Sequence, residues 1–170
     1  MNIDFYRHII SSAPFGFAYH QVILDDEKKP VDYVFLEVNH AFERLTGLKS
    51  ELIINKRITE AIPNINESVF NWVANFGEVA INGGEKTFEQ YSEPLGRWYK
   101  VQVHSQEYGY FSTLFTDITH ERTLNEELNG FFNVNLDVLC IADLEGNFIK
   151  VNKEWENILV LTGPDSLRKI

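Results

Sequence analysis

The sequence is poor in cysteine, in basic charge and in long apolar runs, and each shortage closes a class of function. Cys140 is the one cysteine in 170 residues, so an internal disulfide is impossible and a cysteine-based zinc site cannot form. Lys and Arg number 15 against 25 Asp and Glu, for a formal net charge of −10. Nucleic acid and anionic membrane both need a basic patch, and the longest basic cluster is Lys28-Lys29; neither is expected as a direct partner. No apolar stretch approaches the roughly 20 residues that cross a bilayer. The start, Met1-Asn2-Ile3-Asp4-Phe5, lacks the basic-then-apolar layout of a signal peptide. The expected location is cytoplasmic.

Catalytic constellations are also missing. There is no glycine-rich phosphate loop, and Asn82-Gly83-Gly84 reads as a helix stop. His8, His20, His40, His104 and His120 are scattered with no pair at i, i+4, so no metal site is expected. Ser11 and Ser12 lack the context of a nucleophile elbow. The acidic residues read as solvated faces. The chain is expected not to be an enzyme; the alternative, a cytosolic enzyme with an acidic pocket, requires carboxylates that converge in a cleft with shifted pKa values.

What the sequence has in quantity is rings: 13 Phe, 7 Tyr and 3 Trp, 14% of residues. That load implies a bulky core or a ring-lined cavity. It also has a repeated stretch. Phe35-Leu36-Glu37-Val38-Asn39-His40-Ala41-Phe42-Glu43-Arg44-Leu45-Thr46-Gly47 returns as Phe148-Ile149-Lys150-Val151-Asn152-Lys153-Glu154-Trp155-Glu156-Asn157-Ile158, at a constant offset of 113 residues between Val38 and Val151. A period that long points to a duplicated module and not to a solenoid. Each copy reads as a strand that runs into a helix, with Asn39 or Asn152 as the cap that accepts a hydrogen bond from a free helical amide. Gly47 suits the residue after a helix, whereas Val160 stands at the matching place in the second copy.

Periodicity supplies the other elements. Asp4–Ser12 is predicted to be a short amphipathic helix, Phe17–Leu24 and Val31–Val38 a hairpin across the charged turn Asp25–Pro30, and Ser50 the cap of a short helix through Ile54. Ile58–Ile62 is a further turn stopped by Pro63. Asn66–Ile81, with Val69, Phe70, Val73, Phe76, Val79 and Ala80 at helical intervals, is the longest helix of the first module. Three antiparallel strands follow: Thr87–Tyr91, Trp98–His104 and Tyr110–Thr116, the second turning Tyr99, Val101 and Val103 to the core. His120–Asn129 is a polar exit helix closed by Gly130. Val138–Ala142 and Phe148–Val151 form a second hairpin, in which Cys140 is expected as a buried, inert thiol. Thr162-Gly163-Pro164-Asp165 reads as another helix start.

This order resembles the PAS fold. Val38–Gly47 is similar to that family's strand-to-helix signature, Asp117-Ile118-Thr119 to the motif that ends its core and begins its signalling helix, and Val151–Glu156 to the start of a second copy. The resemblance implies an α+β fold: a five-stranded antiparallel sheet flanked by short helices, plus an exit helix and a partial second PAS domain. The implied division is a PAS domain over 1–118, a signalling linker helix over 119–130, and the N-terminal part of a second, truncated PAS domain over 131–170. It further implies a sensory module of a bacterial signalling protein, upstream of a GGDEF diguanylate cyclase or a sensor histidine kinase.

In such a module the cofactor stays open. Flavin-binding light sensors of the family carry a reactive cysteine, and the first module has none; a haem reader would place a histidine on the long helix, and Asn66–Ile81 has none. A small organic ligand, or none, is expected. The ligand-pocket candidates are Phe70, Trp72, Val73, Tyr99, Val101 and Val103, between the long helix and the inner sheet face. Asp117, Ile118, Thr119, Leu124 and Leu128 are the signal-relay candidates: Asp117 caps the exit helix, and Leu124 and Leu128, with Ile118 and Phe131 at the ends, offer a homodimer seam. The remaining alternative is a ligand-free structural dimerisation module.

Overall fold

Alternation of rings and aliphatic residues with polar ones builds a sheet whose two faces differ, and the helices cover the apolar face. The computed structural model describes residues 3–134 and 136–155. The chain divides into two compact units, Met1–Thr119 and His120–Ile170.

The first unit begins with helix α1 (Ile3–Ser12) and the hairpin β1 (Gly16–Leu24) and β2 (Pro30–Val38). The hairpin turn is closed by Asp25, whose carboxylate accepts from the amides of Glu27 and Lys29 at 2.9 and 2.8 Å. Three short helices follow, α2 (His40–Thr46), α3 (Ser50–Ile53) and α4 (Ile58–Ala61), then a 3₁₀ turn (Ile65–Glu67) and α5 (Trp72–Asn82). The meander β3 (Gly84–Ser92), β4 (Arg97–Ser105) and β5 (Tyr110–Asp117) completes one antiparallel sheet in the order β2-β1-β5-β4-β3. Tyr99, Val101 and Val103 are buried, and Lys100, Gln102 and His104 on the other face are exposed.

Asn39 is the joint of this unit. Its Oδ1 accepts from the amides of Phe17 at 2.9 Å and Phe42 at 2.8 Å. Its Nδ2 donates to the carbonyls of Ile10 at 2.8 Å and Phe15 at 3.0 Å. Two donors and two acceptor lone pairs are all that a carboxamide has, and all are used on backbone from α1, the loop after it, β1 and α2. Gly47 ends α2 with φ 78, a left-handed residue that glycine adopts without strain. Gly77 on α5 meets the hairpin so closely that a Cβ there would fall 2.2 Å from Pro30 Cβ.

Four expectations need correction. The long helix starts at Trp72 and not Asn66, because Asn71 caps it by accepting from Ala74 N at 2.9 Å; Val69, apolar and at helical spacing, is 95% exposed in the preceding loop. Ser50 is the first residue of α3 and does not cap it; its amide donates to Glu43 Oε1 at 2.7 Å. Gly130 does not close the exit helix: α6 spans Thr119–Val134, since a glycine with helical backbone weakens a helix by about 1 kcal/mol without ending it. Cys140 is exposed, because the described part of its hairpin has two strands and no second layer over that residue.

In the second unit, β6 (Cys140–Ala142) and β7 (Phe148–Val151) pair across the turn at Asp143. Asn152 repeats much of what Asn39 does. Its Oδ1 accepts from Leu139 N at 3.0 Å, its Nδ2 donates to Asp137 O at 2.8 Å, and its own amide donates to Leu139 O at 3.0 Å. Phe148 meets Trp155 edge-on at 4.9 Å, as Phe35 meets Phe42 at 5.9 Å. The proposed start at Thr162–Asp165, and Val160, lie outside the described residues.

Replacing Asn39 by Ala leaves four backbone groups, one buried and three part-buried, without their partner, so the expected loss is about 2–4 kcal/mol in urea unfolding. Gly77→Ala is expected to destabilise by about 1–3 kcal/mol, because overpacking against Pro30 outweighs the better helix propensity of alanine.

Candidate functional site

The inner sheet face and the helices α2, α4 and α5 do not close completely on each other. They leave an apolar cavity of about 40 Å³, lined by residues that include His20, Tyr33 and Phe35 from the hairpin, Phe42 and Thr46 from α2, Ile58 from α4, Trp72 and Phe76 from α5, Tyr99 from β4 and Phe115 from β5. Leu48 and Leu95, both half-buried, complete its edge. Rings dominate the walls: Trp72 meets Phe76 edge-on at 5.5 Å, and Tyr99 meets Phe115 edge-on at 6.0 Å.

Two of the six pocket candidates, Trp72 and Tyr99, line this cavity. Val73, Val101 and Val103 belong to the surrounding core, and Phe70 packs on Trp72 and Phe88 at 4.7 and 5.2 Å; these four are outside the lining. His20 is the residue that periodicity should have flagged. It shares the inward face of β1 with Ala18 and Val22, all three buried, and a histidine in such a row is out of place unless its nitrogens have work.

His20 is 1% exposed. Its ring stacks on Phe111 at 4.6 Å and is met edge-on by Tyr33 and Phe35, each at 4.9 Å. Nε2 lies 3.0 Å from Thr113 Oγ1, which is 3.5 Å from the carbonyl of Ala18. One proton is shared across the contact of Nε2 with the Thr113 hydroxyl, and the tautomer sets which of the two donates. Among the described residues, neither His20 Nδ1 nor Trp72 Nε1 has a hydrogen-bond partner, and both are buried. Burial pushes the imidazole down to about 3 and holds it neutral.

Tyr99 reaches across the unit. Its hydroxyl donates to Leu45 O at 2.7 Å, and burial pushes the phenol up to about 12. Next to it on β4, Trp98 N donates to Thr119 Oγ1 at 2.9 Å, Ile118 N donates to Trp98 O at 3.0 Å, and Arg97 donates to Asp117 Oδ2 at 2.8 Å. Asp117 Oδ1 accepts from Thr119 N at 2.9 Å. Burial alone would raise the Asp117 carboxyl, but the hydrogen bonds from Thr119 and Arg97 outweigh it and keep the group below its ordinary value. Ile118 is buried and takes no part in an exposed seam, whereas Leu124, Leu128 and Phe131 are exposed on α6.

Carboxylates with lowered pKa values do not converge among the described residues. Glu43 is held at about 2, chiefly by the amide of Ser50, and Asp143 below its ordinary value, chiefly by Asn147; both, like Asp117, serve turns and helix ends. Among the described residues no group of three His, Cys, Asp or Glu side chains is placed to hold a metal, and no helix is long and apolar enough to cross a membrane.

The buried imidazole sets an acid limit. His20 stays unprotonated in the fold down to about 3, but takes a proton in the unfolded chain below pH ~6.5. Its contribution is complete above pH ~6.5 and is lost as pH falls toward 3, at about 1.4 kcal/mol per pH unit for one proton. The acid limb of a urea-denaturation series is expected to be shallower by one proton in His20→Phe.

Comparison with known proteins agrees with this architecture. The PAS domain model matches residues 4–80. The structure is similar to that of an RNA-binding light-oxygen-voltage receptor, at 12% identity and a TM-score of 0.55, with 75% of this chain and 36% of that one covered. It is also similar to a domain of a sensory box sensor histidine kinase/response regulator from Geobacter sulfurreducens (14% identity, TM-score 0.48, 67% and 92% covered) and to a LOV protein from Rhodobacter sphaeroides (12%, 0.49, 75% and 75%). The chain thus spans about a third of the length of the first of these. No curated protein matches it. With the PAS-domain match over 4–80 and a five-stranded antiparallel sheet flanked by helices, the first unit has the PAS fold.

Proposed function

We propose that the chain is a sensory input module, in which a change at the ring-lined cavity, made by a small ligand or a partner, passes through β4 and the Asp117 junction into α6 and on to an output domain. The observation that carries this reading is the junction itself. Tyr99 lines the cavity, and its neighbours Arg97 and Trp98 hold Asp117 and Thr119, the first residue of the exit helix. A shift of β4 by a fraction of an ångström therefore changes three hydrogen bonds at the start of that helix, the kind of packed joint through which local changes are amplified.

On this reading residues 1–118 sense, the helix from 119 relays, and residues 131–170 begin a second PAS domain, with α6 carrying the linker to Val134. The repeated asparagine joint and the repeated ring pair support the second copy. The family resemblance favours a GGDEF diguanylate cyclase as the output, then a histidine kinase, in a cytoplasmic bacterial parent. Exposed Leu124, Leu128 and Phe131 follow a four-three spacing on α6, which suits a homodimer seam.

In Asp117→Ala the amide of Thr119 is expected to exchange with solvent roughly tenfold faster, the effect of one lost charge-assisted hydrogen bond. In the full-length parent, output is expected to stop following the input. Unchanged regulation of output in that variant would refute the relay.

A further inference from the structure

Four observations fix the chemistry that the cavity accepts. It is small: about 40 Å³ holds two or three water-sized groups. Its walls are mostly rings and aliphatic side chains, with the hydroxyl residues Thr46 and Ser92 among them, and no lining side chain carries a charge. Two polar atoms within those walls, Trp72 Nε1 and His20 Nδ1, are buried without partners, in residues that are 4% and 1% exposed. An indole N–H only donates, whereas His20 Nδ1 accepts or donates according to the tautomer set at Thr113.

We propose that the occupant of this cavity is a compact, uncharged, mostly apolar molecule with an amide- or hydroxyl-type group, which both accepts and donates, its acceptor facing the Trp72 N–H and the same polar group satisfying His20 Nδ1. The proposal rests on the sensory reading above and specifies its ligand class. A carboxylate or ammonium would leave water for a site with no counter-charge, and the net charge of −10 disfavours anions further. A purely apolar guest would fill the volume but leave both polar atoms unsatisfied. The neutral state of His20 is the state that such a site favours. Leu48 and Leu95, half-buried at the edge, are the side chains that yield to a larger member of the class.

Acetamide and acetate have the same shape and heavy-atom count and differ in charge, so they test the class directly. The three tryptophan indole N–H signals of the ¹⁵N-labelled chain are followed by NMR, with Trp72 assigned in the native chain from its through-space contacts to Phe70 and Phe76. Acetamide is expected to shift the Trp72 signal and saturate, acetate at matched ionic strength to bind at least roughly tenfold more weakly, and Trp72→Phe to weaken acetamide by roughly tenfold. Equal binding of acetate and acetamide overturns the proposal, and so does an unchanged acetamide affinity in Trp72→Phe. Xenon separates the two levels of failure. If xenon perturbs the cavity resonances and acetamide does not, the ligand class is wrong and the sensory pocket stands; if neither does, the pocket reading falls and the proposal with it. The comparison of acetamide, acetate and xenon needs only the native chain, so a variant that does not fold leaves the test intact.

Discussion

Everything in the first unit hangs on the saturation of one carboxamide. Asn39 spends both acceptor lone pairs and both N–H donors on main-chain groups that lie 3, 22, 24 and 29 residues away. A cap alone would need one of those four bonds. The other three tie the end of α1 and the entry to β1 to the same atom group, so the hairpin, the first helix and the helical crossover share one origin of coordinates. Because the group is buried and full, neither an aspartate nor a longer amide can replace it without leaving a main-chain group unpaired. Asn152 repeats two of these bonds, accepting from the amide of Leu139 and donating to the carbonyl of Asp137.

The strands were legible because each has one wet and one dry face. Alternation in Arg97–Ser105 is enough to separate Tyr99, Val101 and Val103 from Lys100, Gln102 and His104. The helix start at Trp72 was hidden by Val69 and Phe70, apolar residues that continue the helical spacing through a segment which is not helical. Gly130 misled for the opposite reason: glycine permits a helix end but does not require one unless the chain must turn into the left-handed region, as at Gly47. The Asn39 joint was legible only as a cap, since its remaining partners are set by tertiary packing. The cavity was legible in part. Trp72 and Tyr99 could be placed from the two elements that face each other, but the wall at His20, Phe42 and Ile58 comes from elements whose approach no local pattern records.

Burial works on the titratable groups in two ways that sort them by role. Where a group has no charged partner, as in His20, desolvation wins and the residue is neutral at any ordinary pH. Where amide N–H groups converge on a carboxylate, as at Glu43 and Asp117, hydrogen bonding wins and the charge is kept. The neutral group sits at the ring-lined cavity and the charged ones at helix starts. Interior chemistry and mechanical linkage are thus assigned to different side chains, with Tyr99 standing between them through its bond to Leu45 O.

The close approach of Gly77 to Pro30 gives the first unit a direction of compliance. Along that contact α5 has no side chain to compress, and the proline ring opposite it cannot rotate away. Helix and hairpin therefore cannot be pressed closer together there, whereas Leu48 and Leu95, cavity-lining residues that border turns, are where the packing has room to give.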